Sequence, residues 1–226
     1  QSDKKQLMFF IYKLLVIVFI IFSPITFVFR IFLGKEDPDR FLEKFSIYKK
    51  KVKIHETVWF HGASVGEILS IIPIINILEK NVKVKRILIT SSTVSSASII
   101  SNYNFKKTKH VYFPIDWDFF INKFIKTWKP KVVFFIDSEI WPNFIKNLYR
   151  KNIPIILLNG RITAKSFNRW MIFKSFAKEI FSKINISLPQ NLQSAKYLKR
   201  LGAKNIKIAG NLKYLGEPKK IIDNKI

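Results

Sequence analysis

The chain reads as an α/β protein built on a parallel β-sheet with helices on both faces, preceded by an apolar N-terminal helix. Three observations carry this reading. From about residue 54 onward, short β-branched or aromatic runs alternate with longer amphipathic segments, the pattern of repeated strand–helix–strand units. The runs are apolar almost end to end, as in Lys131–Ile136 (KVVFFI), which suits strands buried on both faces. The chemically able polar residues fall just after the runs, at the edge where open α/β sheets bind ligands.

The elements can be justified in order. Residues 7–33 read LMFFIYKLLVIVFIIFSPITFVFRIFL, with 16 uncharged residues between Lys13 and Arg30. That is slightly short of the ~20 needed to span a bilayer, but Lys13 and Arg30 can snorkel, so the stretch can span or lie in the interface. A cleaved signal peptide needs a small-residue site, and F-S-P-I-T-F is a poor one. We therefore expect residues 1–33 to be an uncleaved membrane anchor and residues 34–226 to form the domain. Seven Lys/Arg between residues 30 and 51 against three before the apolar core put that domain on the cytoplasmic side of the membrane. The basic stretch Lys49–Lys53 is the expected hinge.

Seven strands are expected: Thr57–His61, Arg86–Thr90, His110–Phe113, Val132–Ile136, Ile153–Leu158, Ile184–Leu188 and Asn205–Ala209. Asp118–Trp128 and Leu192–Leu201 have the apolar spacing of amphipathic helices. Pro73 should kink the helix after the first strand, because its ring clashes with the Leu69 carbonyl.

Composition narrows the chemistry. Forty Lys+Arg against 15 Asp+Glu give a formal net charge of +25, which attracts anionic lipid or phosphorylated substrates. A genome-wide bias toward Lys, Ile, Asn and Phe would produce part of the same excess. Without cysteine there is no disulfide, zinc–thiolate site or thiol nucleophile, and three histidines make a His-rich metal site unexpected. The dinucleotide and P-loop glycine patterns are missing, and a hydrolase serine is not expected. Basic residues are spread over several helices, so a nucleic-acid-binding module is not expected either.

Four polar groups sit at strand ends: His61 to Glu67, Asp137-Ser138-Glu139, Asn159-Gly160-Arg161, and Gly210-Asn211-Leu212-Lys213. Ser64-x-x-Glu67 ahead of an apolar run is a capping box. The same position also suits a catalyst, since the helix dipole holds a carboxylate ionised and oriented. Both roles stay open and are compatible. The Gly62–Gly66 loop can bring backbone amides to an anion. Asp137-Ser138 can instead cap the next helix, Arg161 can pair with a carboxylate, and His61 suits a hydrogen-bonded core position better than a catalytic one. Trp141-Pro142 looks structural, with proline in a first helical turn.

Taken together, W-F-H-G-A-S-V-G-E with Pro73 downstream, I-L-I-T-S-S-T, Y-F-P-I-D, D-S-E-I-W-P-N, L-N-G-R-I and L-G-A-K-N-I-K-I-A-G-N-L-K resemble the Kdo transferases of lipopolysaccharide core synthesis. The resemblance runs in order from about Gly34 to Lys213. It implies the N-terminal, Rossmann-like acceptor-binding domain of a GT-B glycosyltransferase at the cytoplasmic face of the inner membrane. The implied reaction is inverting, needs no metal or cofactor, and moves Kdo from the donor CMP-Kdo to lipid A precursor (lipid IVA). It implies Glu67 as general base, Glu139 and Lys213 as supports of the transition state, and Ser64, Gly66, Arg161 and Asn211 as substrate-binding residues. Relatives commonly have alanine where Gly62 stands and a threonine-rich run at S-S-T-V-S-S. The family's second half, which holds most of the CMP-sugar site, is not in these 226 residues, so the chain alone is expected to be inactive. The alternative is a non-catalytic membrane- or lipid-binding module of the same fold.

Overall fold

The structure, a computed structural model, describes residues 2–49 and 56–208. The expected strand–helix alternation is present throughout. Six strands lie among the described residues: β1 Thr57–His61, β2 Ile87–Ser91, β3 Thr108–Tyr112, β4 Pro130–Ile136, β5 Ile155–Gly160 and β6 Ile186–Pro189. All pair in parallel, in the order β3-β2-β1-β4-β5-β6. The seventh expected run forms one parallel bridge, Ile206 to Ser187 at the β6 edge, and its last residue, Ala209, lies outside the described residues.

Side chains alternate across the sheet with the period of two that strands impose. Trp59, Leu88, Val133 and Phe135 point to one face, where they pack with residues of α4 (Asp118–Trp128), α5 (Pro142–Arg150) and α7 (Lys174–Phe181). Phe60, Ile87, Ile89 and Ile136 point to the other, against Ile68, Ile71 and Ile75 of α2 (Val65–Lys80) and Ile100 of α3 (Val94–Ser101). Two further helices, α6 (Ala164–Ile172) and α8 (Leu192–Leu201), flank the β5–β6 edge. The expected bounds of α4 and α8 hold to the residue. Pro73 lies inside α2, which continues to Lys80; proline removes one amide from the ladder without ending the element.

The apolar leader is one helix, α1, Ser2–Phe32. A short 3-10 helix, Phe41–Phe45, follows it and is tied to the β3 edge: Tyr112 N donates to Glu43 Oε2 at 2.9 Å and Arg40 Nη2 to His110 O at 2.9 Å. Most of the expected hinge at Lys49–Lys53 lies outside the described residues.

Asp116, in the loop after β3, fixes the start of α5. Its carboxylate accepts from the amides of Asn143 at 3.0 Å and Phe144 at 2.7 Å, and from Tyr12 Oη at 2.6 Å. It thus caps a helix to which it is not adjacent in sequence, satisfying amides that a helix start leaves unpaired. Burial raises its pKa from 3.8 to about 6, against the pull of those hydrogen bonds. The expected cap by Asp137-Ser138 is not what forms: the N-cap position is Trp141, without a side-chain cap, and Pro142 opens the helix.

Candidate active site at the strand ends

The sheet order reverses direction between β1 and β4, and a crevice opens at the carboxyl ends of strands at such a switch point. Three of the four predicted polar groups meet there. A pocket of about 390 Å³ is lined by Ser64, Gly66, Glu67 and Ser70 after β1, Asp137 and Ser138 after β4, and Asn159, Arg161, Thr163 and Ser166 after β5. The fourth group, with Asn211 and Lys213, lies outside the described residues.

The local sequence explains how Glu67 is held. Ser64 is the N-cap of α2, and its hydroxyl accepts from Glu67 N at 3.4 Å. The same hydroxyl donates to Glu67 Oε1 at 2.8 Å, while Ala63 N donates to Oε2 at 2.8 Å. The capping box therefore closes, one residue out of its usual register, since Glu67 takes the amide before the N-cap. Capping and pocket lining coincide in one side chain. Burial pushes the Glu67 pKa up, the bonds from Ser64 and Ala63 pull it down, and the charges of Glu139 and Asp137 push it up again; the net shift is upward. A helix N-terminus by itself favours the ionised carboxylate; desolvation and two neighbouring carboxylates reverse that preference.

Glycines give this corner its room. A Cβ on Gly62 would stand 3.0 Å from Glu67 Cβ, whereas one on Gly66 would meet nothing within 4 Å. Gly62-Ala63-Ser64-Val65-Gly66 also has the G-x-S-x-G spacing of a nucleophile elbow. The geometry is not that of an elbow: Ser64 has an ordinary extended backbone (φ −108°, ψ 161°), and its hydroxyl is engaged by Glu67 rather than by a histidine.

Across the crevice, Asp137 directly after β4 and Asn159, the last residue but one of β5, have φ of 60° and 55°, a left-handed conformation that Asn and Asp tolerate better than most residues. Arg161 N donates to Asp137 O at 3.1 Å, tying the two loops. The Arg161 side chain is exposed at the rim, and none of the ion pairs among the described residues involves it.

Glu139 is placed differently. It lines an adjoining, largely apolar pocket of about 320 Å³ with Tyr12, Ile140, Trp141, Pro142, Trp170 and Phe176, and Ser138 borders both pockets. His61 Nε2 lies 3.0 Å from Glu139 Oε2, and Trp141 Nε1 donates to the same oxygen at 2.8 Å. His61 is fully buried, stacked on Phe113 with ring centroids 3.7 Å apart, and its Nδ1 is 3.0 Å from Thr90 Oγ1. Burial alone would push the Glu139 pKa up; His61 and Trp141 more than offset it, so the net shift is down. The sequence suits His61 to the core and Trp141 to a structural role. Both are buried or packed as expected, and both also grip Glu139. Nothing local signals this, since His61 is 78 positions away. Thr163 and Ser166 were missed as lining residues; their capping pair at the start of α6 was the available signal.

Among the described residues no group of three or more His, Asp or Glu is arranged to hold a metal ion.

Comparison with known proteins decides the family. Residues 39–215 match the model of the 3-deoxy-D-manno-octulosonic-acid transferases, or kdotransferases. The chain belongs to this family. The 3-deoxy-D-manno-octulosonic acid transferase of Rickettsia bellii is 35% identical over 197 residues, 86% of this chain and 47% of the relative. That of Rickettsia prowazekii is 39% identical, covering 72% and 35%, and that of Haemophilus influenzae 28% identical, covering 86% and 47%. The chain thus spans half or less of the length of these Kdo transferases. In fold, it resembles a solved structure from Listeria monocytogenes described as a UDP-N-acetylglucosamine 2-epimerase, with TM-score 0.51 and 13% identity over 70% of this chain and 46% of that one. This likeness concerns the Rossmann-like sheet alone.

Proposed function

We propose that this chain is the acceptor-side half of a Kdo transferase that moves Kdo from CMP-Kdo to a lipid A precursor by inverting, metal-independent transfer. The observation that carries the proposal is Glu67. It is an oriented, partly desolvated carboxylate, at the switch point of the sheet, in a pocket otherwise lined by hydroxyls, an amide, Asp137 and Arg161.

A sugar hydroxyl is a weak nucleophile, so a carboxylate beside it must take its proton as it attacks. In the proposed step the acceptor oxygen bonds to the anomeric carbon of Kdo. The bond from that carbon to the CMP phosphate breaks, its electron pair leaves with the phosphate oxygen, and the acceptor proton passes to Glu67. A single displacement from the opposite face inverts the anomeric centre. A raised pKa makes Glu67 the stronger base of the two glutamates. Ser64 and the Ala63 amide hold it in place, and Gly66 leaves open space beside it. Glu139 and Lys213 support the transition state, while Arg161 and Asn211 contact substrate. Cations offset charge developing on the leaving phosphate. The CMP-sugar pocket belongs to a second domain, and α1 attaches the enzyme to the cytoplasmic face of the inner membrane, where the acceptor lies. Support for attachment comes from α1 itself, of which Gln6–Phe32 is long and apolar enough for a membrane.

The test is Glu67→Gln in the full-length enzyme. Turnover should fall ~10²–10⁴-fold, the usual range for loss of a general base, with Tm and acceptor KM little changed. Near-normal turnover, or a large loss of Tm, would return Glu67 to capping alone.

A further inference from the structure

α1 uses one stripe of its surface to hold the domain. Phe9 meets Phe176 of α7 edge-on, ring centroids 4.8 Å apart, and lies under Lys146 Nζ at 4.2 Å. Tyr12 Oη donates to Asp116 at 2.6 Å, and Lys13 Nζ lies 2.6 Å from Asp118 Oδ2. Towards the other end, Phe27 packs on Phe45 with centroids 5.6 Å apart, and Arg30 Nε reaches Glu36 Oε2 at 3.1 Å. Phe9, Ser23 and Phe27 are buried. The opposite face, including Phe10, Leu14, Ile21, Phe22, Ile25 and Phe29, is exposed, and no charge occurs between Lys13 and Arg30.

The contacts run from Phe9 to Arg30, about 32 Å of helix at ~1.5 Å per residue. The hydrocarbon core of a bilayer is about 30 Å thick. A helix crossing that core therefore cannot keep these contacts unless Asp116, Asp118 and the strand ends enter the hydrocarbon with it. Charged groups are expensive there. Spanning and packing exclude each other, and the structure is packed.

We propose that α1 lies in the plane of the membrane surface, its outer face among the lipid acyl chains and its inner face on the domain, so that both of its ends are on the domain's side of the bilayer. The occupant of the outer face is lipid, because a continuous apolar surface without charge belongs in hydrocarbon rather than water. The formal net charge of +25 complements the anionic headgroups that an in-plane helix brings within reach. An apolar groove of about 620 Å³ between α1 and the loop after β3, lined by Leu15, Val16, Phe19, Phe113, Ile115 and Trp141 among others, then sits at the level of the lipid. The proposal rests on membrane attachment and not on the sugar chemistry.

These 226 residues hold no cysteine, so once any cysteine elsewhere in the full-length protein is replaced by serine, each single substitution reports one position. Gln6→Cys, Lys35→Cys and Lys204→Cys are placed singly in the full-length protein. Membrane vesicles of each sidedness are then treated with a membrane-impermeant maleimide. All three should label from the same side and none from the other. Labelling of Gln6→Cys only from the side opposite to Lys35→Cys would overturn the proposal, as would recovery of the protein outside the membrane fraction. Spin labels at Leu14→Cys, Ile21→Cys and Val28→Cys, all on the outer face, should report equal depths. In a spanning helix, Ile21 would differ from one of its neighbours by ~10 Å, seven residues of rise. Neither assay measures transfer, so failure here leaves the catalytic reading untouched, and loss of that reading leaves this one.

Discussion

Glu67 and Glu139 stand at the ends of adjacent strands, β1 and β4, and their surroundings drive them apart. Glu67 opens α2 and lines a polar pocket; burial and two neighbouring carboxylates raise its pKa. Glu139 borders an aromatic pocket, where His61 and Trp141 converge on one of its oxygens and overcome the effect of burial. Carboxylates whose environments separate their pKa values take different roles. The raised one suits proton transfer; the lowered one stays a fixed charge.

The largest expected effects test that division directly. Glu67→Gln should remove ~10²–10⁴-fold of turnover and leave folding almost intact. Glu139→Gln should lower turnover too, but with a clear loss of Tm, because His61 and Trp141 were arranged around a charge. Matching kinetics and matching Tm for the two variants would erase the distinction.

Next comes the buried partner. His61→Ala removes a stacked ring and leaves Glu139 gripped by Trp141 alone. The loss of stability, read from denaturant melts, should be ~3 kcal/mol, from the lost hydrogen bond to a carboxylate and the lost ring stacking. A change under about 1 kcal/mol would show that His61 is incidental.

The pH dependence separates the two glutamates by sign. The folded Glu139 binds its proton more weakly than the unfolded one. Its contribution to stability is present above the ordinary glutamate pKa and is lost as pH falls through its depressed value. The folded Glu67 binds its proton more tightly. Its contribution is full below the ordinary value and is lost as pH rises through the raised one. The acid limb of kcat/KM should therefore lie above the ordinary glutamate value of 4.5 and disappear in Glu67→Gln. An acid limb at or below 4.5 would assign it to another group.

Gly62→Ala is the finest probe. Its Cβ would stand 3.0 Å from Glu67 Cβ, so Glu67 has to yield by a few tenths of an ångström. A Cβ moves only with its backbone, so the start of α2 has to shift, at a strain of about 1 kcal/mol, which bounds the fall in kcat at about tenfold. The same strain weighs on the folded state, so Tm should fall by no more than about 4 °C. A drop as large as that of Glu67→Gln would mean that the pocket tolerates no displacement at all.

Much of this protein is written locally. Period-two and helical apolar spacing set the element order, and α4 and α8 end where their patterns end. Ser64 and Glu67 announce the start of α2 because a capping box is contained in four consecutive residues. The placement of polar residues after strands was enough to bring Glu67, Asp137 and Arg161 to one rim, since parallel strands all end at the same edge. Other features depend on groups far apart in sequence. Strand order is not encoded in any single strand, so the switch point between β1 and β4 had to be seen. Asp116 caps α5 from another loop, which displaced the expected cap at Asp137-Ser138. A helix apolar all round carries no stripe to say which face meets the domain, so the seat of α1 came only from Tyr12, Lys13 and Phe27 meeting their partners. The opposite pKa shifts of Glu67 and Glu139 belong here too. Helix position is local and favoured ionisation of Glu67, but desolvation and charge are summed over everything within a few ångströms, and only the folded chain decides what that is.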